Sequence, residues 1–120
     1  MALNIQQREM DDVIVLEVIG RITIGRDCQE LEWKLQQLAT DGSLRLVVDL
    51  ANVSHVDSTG IGIFVMSSGK FKAAGGQLRL AAPNAIVDKV FTITAVNTII
   101  PIHVSVAEAV AAFNSRAAGA

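Results

Sequence analysis

The stretch that most constrains the fold is a continuous apolar run followed by a short polar motif. Leu44–Leu50 (LRLVVDL) is rich in leucine and valine, as is typical of a buried strand in a parallel sheet. A short link, 51–56, leads to Asp57–Gly62 (DSTGIG), after which apolar residues recur at helical spacing. This order predicts a buried strand, a loop and the first turn of a helix.

The rest of the chain alternates between strand and helix patterns after an initial hairpin, whose turn is predicted at Met10–Asp12. Asp27 is expected to cap the first helix, and Gly75-Gly76 to end the second. The predicted strands are Leu3–Arg8, Val13–Ile19, Leu44–Leu50, Gln77–Ala81 and Ile99–Val104. The predicted helices are Cys28–Ala39, Ser58–Ala73, Asn84–Phe91 and one that runs from the capping box Ser105–Glu108 through Phe113.

Strands that alternate with helices indicate an α/β fold. We expect one domain with a mixed, mostly parallel β-sheet covered by about four helices, and with Leu44–Leu50 near the centre of the sheet. The inner face of the second helix is predicted to carry Ile61, Phe64, Val65, Ser68 and Phe71. The domain is expected to span residues 1–113, and residues 114–120 to form a flexible tail.

Composition excludes several classes of protein. The chain has 120 residues, of which 51% are hydrophobic and only 18% charged, so a folded domain is expected rather than a disordered one. The formal net charge of −2 argues against nucleic acid or an anionic membrane as the main partner.

The single cysteine, the N-terminal residues and the length of the apolar runs indicate the cellular compartment of the protein. Cys28 alone can form neither a disulfide framework nor a cysteine-rich metal site within one chain, which favours a reducing compartment, the cytosol. The N-terminus lacks the pattern of a signal peptide. No apolar run approaches the ~20 residues that span a bilayer, so no direct membrane insertion is expected.

The motif Asp57–Gly62 suits a phosphorylation switch. Free N–H groups and a partial positive charge at a helix N-terminus favour a phosphate, and Ser58 would present its hydroxyl there. Plain capping by Asp57 is the competing interpretation. Gly60 and Gly62 argue for more, because each costs roughly 1 kcal/mol in a helix relative to alanine. Close approach by another backbone, or tight packing on the sheet, would explain them.

Catalytic and ligand-binding patterns are weak in comparison. The sequence around Ser58 is not the Gly-x-Ser-x-Gly of a nucleophile elbow, and the glycines fit no phosphate loop. Of the two histidines, His103 falls within a predicted strand and His55 has no evident partner to orient it. Cysteine, histidine and aspartate show no metal-ligand spacing. We therefore predict no catalytic residues, no cofactor and no metal.

Taken together, these segments make the chain similar to the STAS domain family, and within it to the bacterial anti-sigma factor antagonists. The similarity extends from about Ile5 to Phe113. The segments that carry it are Val47–Leu50, Val53–Gly62, Phe71–Leu80, Ala81–Asn84 and Val106–Val110.

This resemblance implies a partner-switching function. The unmodified antagonist would bind a serine-kinase anti-sigma factor, phosphorylation of its motif serine would release it, and a PP2C-type phosphatase would restore it. The phosphorylated residue maps onto Ser58, with Thr59 as the second choice. The resemblance implies a partner-binding surface formed by Arg21, Thr23, His55, Asp57, Ser58, Thr59, Gly60, Ile61 and Gly62.

Two other functions stay open on the sequence. The first keeps the fold, as a STAS subunit or scaffold bound to a transporter ATPase or a sensory complex. The second is a small hydrolase that uses Ser58 and His55. A monomer or weak dimer is expected, and the sequence leaves open which sigma factor or other output is controlled.

Overall fold

The computed structural model describes residues 3–118, and these form a single sheet with helices on both of its faces. The strands are β1 (Asn4–Met10), β2 (Val13–Ile22), β3 (Arg45–Val56), β4 (Gln77–Ala81) and β5 (Ile102–His103). The helices are α1 (Arg26–Thr40), α2 (Ser58–Ala73), α3 (Ala85–Ile93) and α4 (Val106–Ala118), with a 3-10 turn at Val96–Thr98.

The sheet has the order β1-β2-β3-β4-β5. β1 pairs with β2 in antiparallel orientation, and the remaining pairs are parallel. The predicted mixed, mostly parallel sheet is therefore confirmed. β3 is the central strand, and residues 46–50 are all buried because helices cover both faces of the sheet there.

The turn between β1 and β2 is formed by Asp11 and Asp12, as predicted. Both residues have positive φ angles, 51° and 67°. Two consecutive left-handed residues define the turn type whose twist matches that of a two-stranded hairpin, and aspartate tolerates this conformation better than most residues.

Two apolar cores lie on opposite faces of the sheet. The larger core joins β2, β3 and β4 to α1, α2 and α3, and Phe64 of α2 meets Phe91 of α3 edge to face at 6.4 Å between ring centroids. The smaller core lies under α4, which contributes Ala109, Val110 and Phe113. The four α-helices found in residues 3–118 thus cover both faces, as expected.

Glycines end the first two helices. Gly42 follows α1 with φ of 83° and Gly75 follows α2 with φ of 90°, and both lie in Schellman motifs. After α2, the N–H of Gly75 donates to the carbonyl of Lys72, and that of Gly76 donates to the carbonyl of Phe71. The predicted stop at Gly75-Gly76 is confirmed.

The predicted cap of α1 is wrong. Gly25 is the N-cap residue, the helix begins at Arg26, and Asp27 lies inside the first turn without a side-chain capping bond. Gly25 has a φ of 143°, an angle that glycine adopts without strain. An acidic residue inside the first turn still interacts favourably with the helix dipole.

Four of the predicted strands have different lengths in the structure, and β1 differs the least, at Asn4–Met10 against the predicted Leu3–Arg8. β2 runs on to Ile22 and β3 to Val56, so the predicted link 51–56 is part of a strand. Parallel pairing continues to Ile22 opposite Val56, with register shifts on the way. By contrast, the strand expected at Ile99–Val104 is reduced to β5, Ile102–His103. Pro101 lacks an N–H group, and the residues before it follow the 3-10 turn.

The inner face of α2 is rotated from the predicted one. Phe64, Ser68 and Phe71 are buried as expected, whereas Ile61 and Val65 are only half-buried. The other buried residues of the helix are Gly60, Ile63 and Ser67. Helical spacing alone did not separate these two stripes, because α2 is apolar on nearly every side.

The last helix begins where it was predicted to begin, after Ser105, but ends later than predicted. The Ser105 hydroxyl accepts a hydrogen bond from the N–H of Glu108 at 3.1 Å, which is one half of the predicted capping box. α4 continues past Phe113 to Ala118, so most of the expected tail is helical. Residues 119–120 of that tail lie outside the described residues. The domain limits themselves stay a prediction.

A buried hydroxyl on α2 gives a stability prediction. Ser68 is 1% exposed, and among residues 3–118 its Oγ has no hydrogen-bond partner. Because an unpaired buried polar group is destabilising, we expect Ser68→Ala to raise the free energy of unfolding by about 1 kcal/mol. Urea unfolding would measure this gain. Ser105→Ala is the control and should lose about 1 kcal/mol, since that hydroxyl caps α4. An equal loss in both variants would contradict the assignment.

Candidate functional site

The motif Asp57–Gly62 lies where the central strand ends and α2 begins. Val56 is the last residue of β3, Asp57 is the N-cap residue in an extended conformation, and Ser58 is the first residue of α2. This is the carboxyl edge of the parallel strands, where α/β proteins generally bind ligands and partners. The predicted placement of the motif is confirmed.

Asp57 makes two hydrogen bonds with its two carboxylate oxygens. Oδ1 accepts from the N–H of Gly60 at 3.0 Å, which caps α2, and Oδ2 accepts from the N–H of Ile24 at 2.8 Å. Burial raises the pKa of this carboxyl, but the backbone N–H groups of Ile24 and Gly60 outweigh it and hold the pKa below its ordinary value. Asp57 is therefore a charged cap at neutral pH.

The two candidate phosphate acceptors differ in exposure. Ser58 is exposed and Thr59 is half-buried, although both lie in the first turn of α2. Within residues 3–118, the hydroxyl of Ser58 makes no hydrogen bond. A hydroxyl that is both open to solvent and unengaged is the more accessible of the two to a modifying enzyme.

The two glycines of the motif have different surroundings. A Cβ on Gly60 would lie 2.8 Å from the carbonyl oxygen of Ile22 and 2.9 Å from Cγ1 of Val56, so Gly60 is required by packing on the sheet. A Cβ on Gly62 would have no described atom within 4 Å beyond its own part of the helix. Of the two explanations from the sequence, tight packing accounts for Gly60 and leaves Gly62 unexplained within the chain.

Three further predicted residues lie near the same edge of the sheet. Arg21 on β2 is directly opposite His55 on β3, and both are exposed. Thr23 is half-buried and follows β2 in the loop that leads to α1. The side chain of Ile61, in contrast, is only partly available to a partner, because it packs against the larger core.

Sequence reasoning missed Ile24. Its side chain is 79% exposed, and its N–H donates to Asp57, so it lies directly beside the motif. Two signals were available, its position between Gly20 and Gly25 and its place next to Thr23, which the resemblance implied for partner binding, and neither indicates a contact with the motif. The hydrogen bond that holds this loop against α2 is visible only in the three-dimensional structure.

The geometry gives no support to a serine hydrolase. Nδ1 of His55 lies 3.0 Å from the hydroxyl of Ser54, and among the described residues no hydrogen bond connects His55 with Ser58. A general base must come within hydrogen-bond reach of its nucleophile and be oriented by a third group. The described part of the chain also contains no group of three or more His, Cys, Asp or Glu side chains that could hold a metal ion.

Three other titratable side chains, those of His103, Asp49 and Cys28, contact groups within the fold. Nε2 of His103 lies 3.0 Å from Nη1 of Arg79, and burial first, then this guanidinium, lowers the pKa of His103. Asp49, on β3, accepts a hydrogen bond from the N–H of Ala51 at 3.1 Å. Cys28 is buried in the larger core, and burial raises the pKa of its thiol.

The fold is that of a STAS domain. The family described as STAS domain matches residues 4–109, and the chain belongs to this family. Among curated relatives, the anti-sigma-B factor antagonist of Bacillus subtilis is 32% identical over 102 residues, which cover 85% of this chain and 92% of that protein. The anti-sigma-B factor antagonist of Staphylococcus aureus is 28% identical over 103 residues, which cover 86% and 94% of the two chains.

Solved structures agree with the fold. An anti-sigma factor antagonist from Mycobacterium paratuberculosis has a TM-score of 0.82 at 21% identity and covers 92% of this chain and 93% of its own. The anti-sigma factor antagonist SpoIIAA in its unphosphorylated form has a TM-score of 0.79 at 18% identity, with 93% and 97% covered. At these identities the structures support the fold alone. None of the helices in residues 3–118 is long and apolar enough to cross a membrane.

Proposed function

We propose that this protein is an anti-sigma factor antagonist that binds a serine-kinase anti-sigma factor when Ser58 is unmodified and is released when Ser58 is phosphorylated. The observation that carries the proposal is the exposed, unengaged hydroxyl of Ser58 at the first position of α2. The curated relatives are anti-sigma-B factor antagonists by name, which supports a protein that acts against an anti-sigma factor. Such a circuit acts in the cytoplasm, where sigma factors meet RNA polymerase.

The local electrostatics explain why phosphorylation would leave the fold intact. A phosphate adds about −1.5 to −2 charges, and the N-terminus of a helix stabilises negative charge. The hydroxyl of Ser58 makes no hydrogen bond in the described residues, so its modification would break none. We therefore expect the phosphorylated protein to keep its structure.

A bound partner would respond differently to the same phosphate. The new charge would lie beside the carboxylate of Asp57, which is already ionised because its pKa is lowered. Closing an interface over both groups requires their desolvation, and buried charges without partners are strongly unfavourable. A loss of ~3 kcal/mol would weaken binding more than a hundredfold. A PP2C-type phosphatase would then return the antagonist to its binding form.

The proposal is tested with ATP and the candidate kinase from the same genome. Intact mass should rise by one phosphate, and fragmentation should place it on Ser58. Ser58→Ala should remain unmodified and still bind, whereas Ser58→Asp should bind the kinase ~100-fold more weakly than the wild type. Thr59→Ala is the matched control and should still be phosphorylated.

Two results would count against the proposal. A phosphate found on Thr59 in the Ser58→Ala variant would identify Thr59 as the phosphorylated residue of the switch. Tight binding of an active kinase with no phosphate transfer at all would instead favour a STAS subunit or scaffold of a transporter or sensory complex.

A further inference from the structure

Three contacts join the end of β2 and its following loop to the start of α2. The backbone N–H of Asp57 donates to the carbonyl of Ile22 at 3.2 Å, and its Oδ2 accepts from the N–H of Ile24 at 2.8 Å. At Gly60 the backbone approaches so closely that an added Cβ would lie 2.8 Å from the Ile22 carbonyl oxygen. The loop after β2 and the first turn of α2 are therefore built against each other.

The second oxygen of Asp57 has a function that capping does not require. A cap needs one acceptor, and Oδ1 supplies it to the N–H of Gly60. Serine, threonine or asparagine would cap α2 about as well. Only a carboxylate offers a second acceptor in the same plane, and here it holds the N–H of Ile24, 33 residues earlier in the chain. This charge-assisted bond is stronger than a neutral one.

The loop that Asp57 holds presents an unusual side chain. Ile24 is 79% exposed, and it is the most exposed of the large hydrophobic residues described. Exposed Arg21 and Arg26 lie on either side of it in sequence. An isoleucine held in water by a fixed backbone gains nothing from the fold of its own chain, whereas burial against another protein would be favourable.

We propose that Asp57 is a positioning residue for partner binding, which holds the Thr23–Ile24 segment beside Ser58 so that the Ile24 side chain and the Ser58 hydroxyl meet the anti-sigma factor as one surface. This inference rests on the proposed function. It requires the partner to offer an apolar contact for Ile24 next to the site that receives Ser58. The surface of the free antagonist is ordered in advance, which lowers the entropic cost of association.

The first part of the test uses the free protein. Asp57→Asn keeps an acceptor for the N–H of Gly60 but turns a donor towards the N–H of Ile24. Hydrogen exchange followed by NMR should show the Ile24 amide exchanging ~10-fold faster or more, as expected for loss of a net hydrogen bond, while the Gly60 amide is unchanged. Asp57→Ser, which caps but cannot reach Ile24, should do the same. Asp27→Asn removes a nearby carboxylate and should leave both amides as they are.

The second part measures affinity for the kinase by calorimetry. We expect Asp57→Asn and Asp57→Ser to bind ~10-fold more weakly, the change that corresponds to one ordering hydrogen bond. Ile24→Ala should also bind ~10-fold more weakly, although its amide stays protected, because the apolar contact is lost while the loop is held. Asp27→Asn should bind as the wild type does.

The outcomes separate the inference from the proposed function. If the wild-type protein does not bind the kinase, or if Ser58→Asp binds as tightly as the wild type, the proposed function fails and this inference fails with it. If the wild type binds and Ser58→Asp does not, but Asp57→Asn, Asp57→Ser and Ile24→Ala all keep full affinity, the inference alone is overturned. An Ile24 amide that exchanges at the wild-type rate in both Asp57 variants overturns it as well.

Discussion

Gly60→Ala is expected to destabilise the protein by about 2 kcal/mol, the usual range for overpacking in a closely packed site. The new methyl group would lie 2.8 Å from both Cγ2 and the carbonyl oxygen of Ile22 and 2.9 Å from Cγ1 of Val56. A side chain can turn aside, but the carbonyl of a paired strand cannot, so α2 must move away from the sheet. Alanine's higher helix propensity recovers only about 1 kcal/mol. Urea unfolding at neutral pH measures the difference.

Gly62→Ala provides the matched control two residues along the same helix. Its Cβ would have open space, so we expect a gain of about 1 kcal/mol from helix propensity. The same variant should weaken kinase binding if a partner's backbone packs closely on that position. Equal stability changes at the two glycines would show that packing on Ile22 does not explain Gly60.

Much of the fold could be predicted because local signals and the tertiary structure agree. The apolar run of Leu44–Leu50 marks the central strand, since a strand covered on both faces has no need of alternation. The helix predicted from about Ser58 to Ala73 is found there as α2. There Asp57 supplies the cap and Gly75 the left-handed residue that ends the helix, and both effects act within one turn.

Errors arose where pairing between distant segments decides the structure. Residues 51–56 include the exposed polar side chains of Asn52, Ser54 and His55 and so favour a loop, yet they form strand because β2 continues beside them to Ile22. Ile99–Val104 has strand propensity, but its chain enters from a 3-10 turn and pairs only at Ile102–His103. Neither partner strand can be identified from local sequence, and tertiary context overrides propensity in both cases.

The candidate site likewise has a part that local sequence predicts and a part that depends on distant segments. The motif Asp57–Gly62 could be located from the sequence because its residues are contiguous and open a helix. The position of Ile24 beside the motif could not, because it depends on a hydrogen bond that spans 33 residues. Gly60 and Gly62 look alike in the sequence, and only the position of Ile22 separates a packing glycine from one that faces open space.

Gly76→Ala is expected to have the larger effect on stability, a loss of about 3 kcal/mol or more. A Cβ at Gly76 would come within 2.6 Å of the Cα of Leu44 and even closer to its carbonyl oxygen, and no side-chain rotation can relieve a contact between backbones. That carbonyl accepts a hydrogen bond from the N–H of Gln77 at 2.7 Å, at the point where β4 starts beside β3. Relief of the clash would therefore separate the two strands at their first pair.

Gly69→Ala is the control for this prediction, because Gly69 lies inside α2, the helix that Gly76 follows, and has open space at its Cβ. It should raise the free energy of unfolding by about 1 kcal/mol. In Gly76→Ala, the amide of Gln77 should also lose protection from hydrogen exchange, since its acceptor is displaced. Wild-type stability in Gly76→Ala, with the Gln77 amide still protected, would mean that α2 and β4 can shift together on the sheet. The close approach of Gly76 to Leu44 would then not fix the position of α2, whose first turn carries Ser58.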